Sequence, residues 1–154
     1  MARSPLPVPV AAALLSSADD VEAQFYEALQ QGDIDRLMAL WADDDEIVCV
    51  HPGGGRVIGA PAIRSSFEAI FANGGIPVQP EQVHRLALVG GALHHLVERI
   101  ELRAEQGVQT AWVLVSNLYV KTPLGWRLAA HHASPGSARP PAEHRGGDAP
   151  ATLH

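Results

Sequence analysis

Histidine 51 closes the β-branched run Ile47-Val48-Cys49-Val50 and stands directly before Pro52 and a Gly53-Gly54-Gly55 turn. A second run, Gly125-Trp126-Arg127-Leu128-Ala129-Ala130-His131-His132-Ala133-Ser134-Pro135, also ends in histidine. Strand ends present side chains at a cavity mouth, and imidazole exchanges a proton near neutral pH. Held within hydrogen-bond reach of an acidic C–H or O–H, His51 would be a general base. With Lys121 paired to Trp126, period-2 alternation puts Val113, Val115, Asn117 and Tyr119 on one face beside Trp126, Leu128, Ala130 and His132. Asn117 is then a neutral donor placed to hold developing negative charge, with His132 in support and His131 pointing away.

Other residues would shape the cavity. Glu98 shares a strand face with His94, Leu96, Ile100 and Leu102. A carboxylate on such an apolar face is paired, protonated or functional. Trp41, Phe67 and Phe71 are candidate ligand walls, Trp41 because it ends a helix near the expected mouth. His51, His132 and Glu98 have the composition of a two-histidine, one-carboxylate metal set, but they come from three strands and no spacing demands it, so no metal site is expected. The triple glycine lacks the lysine and hydroxyl of a phosphate loop, and no cofactor is expected.

Bulk properties narrow the class. The chain has 154 residues, enough for one domain with a real core. Its net charge of -6 comes without a basic block, which argues against nucleic acid as a partner. The single cysteine, Cys49, excludes an internal disulfide and reads as a small buried thiol. No run approaches the roughly 20 apolar residues that span a bilayer. Residues 6–15, after Arg3, faintly resemble a signal peptide, but Pro5, Pro7 and Pro9 interrupt them, so a cytoplasmic location is expected.

The positioning elements follow from periodicity. Residues 1–16 read as a flexible lead, 17–135 as the folded domain, and 136–154 as a disordered tail rich in proline, alanine and glycine. Ser17 with Asp20 starts a first helix carrying Val21, Phe25, Ala28 and Leu29, and Gly32 ends it. Asp33 caps a second helix with Ile34, Leu37, Met38 and Trp41. Pro61 opens a third, striped by Ile63, Phe67, Ile70 and Phe71, before Asn73-Gly74-Gly75. Strands are expected over 82–89, 92–102, 110–121 and 126–134, with hairpin turns at Gly90-Gly91 and at residues 122–125. Helices first and an antiparallel meander after give an α+β fold, with the three helices packed on the concave face of a curved sheet. Both faces of the last hairpin are largely apolar, so a second copy of the chain is expected on the outer one, forming a homodimer through the sheet face.

The ordered landmarks Gln31-Gly32-Asp33, Leu40-Trp41-Ala42-Asp43-Asp44, Val50-His51-Pro52-Gly53, Gly59-Ala60-Pro61-Ala62-Ile63-Arg64 and Gly125-Trp126-Arg127-Leu128 through Pro135 resemble the nuclear transport factor 2-like superfamily, especially its SnoaL-like and ketosteroid-isomerase-like branches. The resemblance runs from about Asp19 to Pro135 and implies a cone-shaped sheet around an apolar pocket. It implies the proton-abstracting base at His51, where the isomerases carry a carboxylate, and the oxyanion-holding acid at Asn117. Their first-helix tyrosine matches Phe25, with Tyr26 one residue off and turned by about 100°. Tyr26 is therefore a candidate for the ligand wall rather than for that donor. SnoaL-type cyclases use an acidic residue on the sheet, for which Glu98 is the candidate. The implied activity is acid/base isomerisation or cyclisation of an apolar carbonyl compound. The alternatives are a non-catalytic protein binding a small apolar ligand, or a dimeric assembly domain, because this fold hosts all three.

Overall fold

A computed structural model describes residues 15–146. The parts of the expected lead and signal-like stretch before residue 15, and of the expected tail after 146, lie outside the described residues. Helix α1 (Ala18–Gln31) begins where the Ser17 hydroxyl accepts the Asp20 amide and ends at Gly32, whose φ of 67° only glycine adopts without strain. The Asp20 carboxylate turns back to Ser16 rather than to Ser17. Helix α2 (Ile34–Ala39) is capped by Asp33, which accepts from the Arg36 amide. Helix α3 (Ala60–Ile70) starts with proline in its first turn and buries Ile63 and Phe67, each burial worth about 1.5–3 kcal/mol. A 3-10 turn over Phe71–Asn73 follows.

The strands are β1 (Val48–Val50), β2 (Arg56–Ile58), β3 (Val78–Leu88), β4 (Gly91–Ala104), β5 (Gly107–Thr122) and β6 (Gly125–Ala133). They form one sheet in the order β2-β1-β6-β5-β4-β3, antiparallel except where β1 runs parallel to β6. The expected α+β architecture is thus the observed one. Three details were not anticipated. The glycine turn after His51 leads into β2, which pairs Val48 with Ile58. Strand β3 starts four residues earlier than expected, with a bulge near Gln82, whose φ is 52°. The β3–β4 turn also falls at Val89-Gly90, since Leu88 pairs with Gly91.

A fourth irregularity decides the site. Lys121 does pair with Trp126, as the alternation assumed, and Tyr119 pairs with Leu128. Leu118 then pairs with Ala130, leaving Ala129 as an extra residue in β6. Such a bulge flips the facing of everything beyond it. His131 therefore pairs with Asn117 on the inner face, and His132 lies exposed on the outer one. The expected placement of His132 beside Asn117 is corrected accordingly. Between helices and sheet lies one core that includes Val21, Phe25, Leu29, Leu37, Ile63, Phe67, Leu96, Val113, Val115 and Leu128.

Candidate functional site

The concave face keeps one cavity of about 350 Å³, lined by Leu29, His51, Pro52, Phe67, Ile70, Ile76, Val78, Glu98, Ile100 and His131. Its walls are apolar because α1, α3 and the start of β3 each turn a hydrophobic stripe inward. Three titratable groups interrupt them. His51 comes from the end of β1, Glu98 from the middle of β4 and His131 from β6 beyond the bulge.

Their hydrogen bonds fix which atoms remain available. Ser66 donates its one hydroxyl proton to the Ile63 carbonyl at 2.7 Å and lies 2.9 Å from His51 Nε2. His51 must therefore donate from Nε2, and neutral His51 keeps an acceptor lone pair at Nδ1. Its ring also packs edge-on against Phe67, with centroids 4.7 Å apart. Half-burial lowers its pKa below the usual 6.5.

Deeper in, a directional chain joins four residues. His131 Nδ1 sits 2.6 Å from Asn117 Oδ1, an atom that only accepts, so the proton belongs to Nδ1. Asn117 Nδ2 donates to the Tyr26 hydroxyl at 3.2 Å, and Tyr26 donates to Glu98 Oε2 at 2.8 Å. His131 Nε2 faces the same Glu98 oxygen at 4.0 Å. Burial depresses His131 to about 3, so it is neutral at pH 7 and presents Nε2 as a lone pair. Burial also lifts the Glu98 carboxyl from 4.5 to about 7, with the Tyr26 hydrogen bond opposing the rise. Tyr26 itself is held far above its ordinary value by burial and the neighbouring Glu98 charge, so its proton stays on.

The sequence candidates separate into two groups. His51, Phe67 and Glu98 line the cavity. Tyr26 and Asn117 stand behind it, fully engaged with each other and with Glu98 and His131. Asn117 is wholly buried and does not line the cavity; its Oδ1 accepts from His131 and one Nδ2 proton goes to Tyr26. It therefore stands behind the wall rather than on it, whereas Glu98, which in its acid form is a donor, lines the cavity itself. Tyr26 rather than Phe25 carries the hydroxyl to the site, while Phe25 packs its ring on His131. Phe71 stacks behind Phe67 at 5.9 Å and does not reach the cavity wall.

Trp41 is elsewhere. Its backbone bridges to Leu128, and its side chain lines a separate cleft of about 550 Å³ with Asp43, Asp44, Val120 and Arg127. The placement of Trp41 at the His51 mouth is corrected, because the residues around it pair with the start of β6 while His51 follows a strand paired with its end. The set His51, His132 and Glu98 is not assembled, since His132 faces outward. Sequence reading missed Ser66 and His131. The serine carried no signal, whereas the histidine pair was visible but assigned to the wrong faces.

A second polar cluster lies further along the same face. His94 Nδ1 is 2.9 Å from Glu22 Oε2, Tyr119 donates to that same oxygen at 3.1 Å, and Arg85 binds Asp19 at 2.7 Å. Among the described residues, no helix is long and apolar enough to cross a membrane.

Residues 19–138 match the model of a SnoaL-like domain. Among solved structures, a candidate calcium/calmodulin-dependent protein kinase type II association domain from Thiobacillus denitrificans is 28% identical. It superposes with a TM-score of 0.71 over 79% of this chain and 97% of its own. A candidate dehydratase of the NTF2-like family from Streptomyces avermitilis is also 28% identical, with a TM-score of 0.69 over 82% and 97%. The CaMKII hub of S. rosetta shares the fold at 17% identity, with a TM-score of 0.61 over 89% and 100%. No curated protein matches the chain.

Proposed function

The chain belongs to the SnoaL-like domain family of the nuclear transport factor 2-like superfamily, and on that premise we propose that its cavity binds a small apolar oxygenated molecule and moves protons on it. The observation that carries this reading is Glu98, a carboxyl held at about 7 in a mainly apolar cavity that it shares with two histidines. A group poised near the working pH serves as acid in one half of a reaction and as base in the other. His51 Nδ1 is the second base, held in its tautomer by Ser66. His131, Asn117 and Tyr26 act as positioning residues for Glu98. Isomerisation and cyclisation both need such an acid and base, and so does loss of water, the chemistry that the name of the Streptomyces protein denotes.

The test uses 2-hydroxycyclohexanone in deuterated buffer. Wild-type protein is expected to speed deuterium entry at the hydroxyl-bearing carbon next to the carbonyl. His51→Ala and Glu98→Gln are expected to slow it by about a hundredfold or more, the usual worth of a positioned acid or base. Exchange no faster than in buffer, with the molecule still bound, would overturn catalysis on hydroxyketones and leave a binding protein.

A second reading concerns assembly, and the two kinase association and hub domains favour it. The outer sheet face carries Leu118 and Val120 beside Ala130, all half-buried, with Leu114 38% exposed. Residues beyond the sheet cover one end of that face: Ser137 bridges to Trp112, and Glu143 meets His84. A second copy on the remainder would complete a homodimer. Leu118→Asp should then halve the mass seen by analytical ultracentrifugation without altering the fold; an unchanged mass would remove the interface from this face.

A further inference from the structure

We infer that the polar end of the cavity is built to seat a hydroxyl group on an uncharged apolar molecule, and to disfavour a ketone, an ether or a carboxylate at the same place. The inference rests on the cavity being a ligand site and names what that site accepts.

The argument is a count of donors and acceptors. His131 has committed its only proton to Asn117, so at the cavity it offers a lone pair at Nε2. His51 has committed its only proton to Ser66 and offers a lone pair at Nδ1. The Tyr26 proton is given to Glu98, and Asn117, wholly buried behind the wall, does not line the cavity. Among the described residues, no arginine or lysine lines the cavity. Above pH 6.5, where His51 is neutral, every fixed polar group facing the ligand therefore accepts, and the variable group is Glu98.

A ligand oxygen that bridges His131 Nε2 and Glu98 Oε2, 4.0 Å apart, from the cavity side meets two situations. When Glu98 is protonated, a hydroxyl accepts from the carboxyl and donates to His131, satisfying both. A ketone can accept but sets its own lone pair against that of His131. When Glu98 is ionised, a hydroxyl still donates to either neighbour, whereas a ketone or ether faces acceptors on both sides. A ligand carboxylate would add a second negative charge beside Glu98 with no cation to offset it. Leaving buried polar groups unpaired is what rejects a near-isosteric ligand.

The pH dependence follows from what surrounds Glu98. Tyr26 faces it from α1, His131 from β6, and Cys49 with His51 from β1 and its end. Asn117 stands behind from β5, and α3 and β3 contribute the apolar Phe67, Ile70 and Val78 to the cavity. Burial raises the Cys49 thiol to about 12, keeps His131 neutral and lowers His51 below 6.5, so above that pH none of the three titrates with Glu98. Hydroxyl preference should therefore sharpen as the pH rises past the Glu98 midpoint.

The experiment compares 4-methylcyclohexanol, 4-methylcyclohexanone and 4-methylcyclohexanecarboxylate with the wild-type protein. Binding is followed from the histidine ¹⁵N and ¹H signals between pH 5.5 and 8.5. The expected result is an alcohol bound about tenfold tighter than the ketone at pH 8.5, one net hydrogen bond's worth. That ratio should narrow at pH 5.5, and the carboxylate should not bind. In Glu98→Gln, whose amide offers a donor at every pH, the ratio should no longer change between pH 6.5 and 8.5. A ketone bound as tightly as the alcohol at pH 8.5 would overturn the inference while leaving the cavity a ligand site. No histidine response to any probe would overturn both. The same spectra report tautomers without a ligand: His131 protonated on Nε2, or His51 on Nδ1, would overturn the donor count directly.

Discussion

Two buried carboxylates, Glu22 and Glu98, sit in nearly interchangeable frames and have been given opposite surroundings. Each frame uses α1, β4 and β5. Glu22 and Tyr26 lie four residues apart on α1, His94 and Glu98 four apart on β4, and Asn117 and Tyr119 two apart on β5. At one end the acid is on the helix and the histidine on the strand, 2.9 Å away, with Tyr119 as a second donor. Arg85 holds the neighbouring Asp19 there, so positive groups stand close by. At the other end the acid is on the strand and the helix supplies only a tyrosine. The nearest histidine nitrogen stands at 4.0 Å, across a gap that opens into the cavity. The same materials make a closed tie between helix and sheet in one case and an undercompensated carboxyl in the other. Compensation of charge, rather than burial, separates the structural cluster from the candidate site.

The largest effect should come from breaking the closed tie. Glu22→Leu leaves His94 and Tyr119 buried without their shared acceptor, and loss of about 3–5 kcal/mol is expected for a broken buried pair. Glu98→Leu removes a desolvated carboxyl whose one close donor is Tyr26, and should be far milder at pH 8. Urea midpoints of the two variants check this directly. Equal losses would dissolve the distinction between the two ends.

Next in size is a pH effect at the open end. The folded pKa of Glu98 lies above its unfolded value of 4.5, so its contribution to stability is complete below pH 4.5 and disappears as the pH climbs to about 7. The loss amounts to about 3 kcal/mol. His131 has the reverse sense: lowered from 6.5 to about 3, its contribution is complete above pH 6.5 and disappears on acidification toward 3. Between pH 4.5 and 6.5 the two slopes oppose each other. Glu98→Gln removes one of them, so the variant should gain on the wild type by about 3 kcal/mol from pH 4.5 to 7. An advantage that does not grow over this window would return Glu98 to the ordinary carboxylate range.

Much of this frame could be read from the chain, and the failures are instructive. The caps at Ser17, Gly32 and Asp33 and the inward stripe of β5 follow from local rules, because each depends on residues a few positions apart. Glu98 stood out because a carboxylate on an apolar strand face needs an explanation. What escaped was the bulge at Ala129, which exchanged His131 for His132. Nothing in Leu128-Ala129-Ala130 marks it, since small residues tolerate either geometry. The role of Tyr26 escaped for a related reason: a one-residue offset on a helix was judged by angle alone, although Glu98 lay within the reach of a tyrosine from that position. Pairing and reach are long-range facts, and local periodicity does not contain them.

The smallest effect sharpens the comparison most. Tyr26 and Tyr119 each donate to a buried carboxylate, and each can be changed to phenylalanine at a loss of one hydroxyl. The Tyr26 bond opposes the burial that raises Glu98, so it favours the charged form. Tyr26→Phe should therefore move the Glu98 midpoint further up, by about one unit if the bond is worth a typical charge-assisted hydrogen bond. Tyr119→Phe removes a bond to Glu22, which still has His94, and should leave the Glu98 midpoint where it was. Carbon-13 labelling of the glutamate carboxyls reads both midpoints in one titration. An upward move in Tyr26→Phe alone would tie the tuning of Glu98 to its own helix partner. Equal moves in both variants would mean that the two ends share one electrostatic environment, and that Glu98 owes its position to the depth of the sheet rather than to the residues around it.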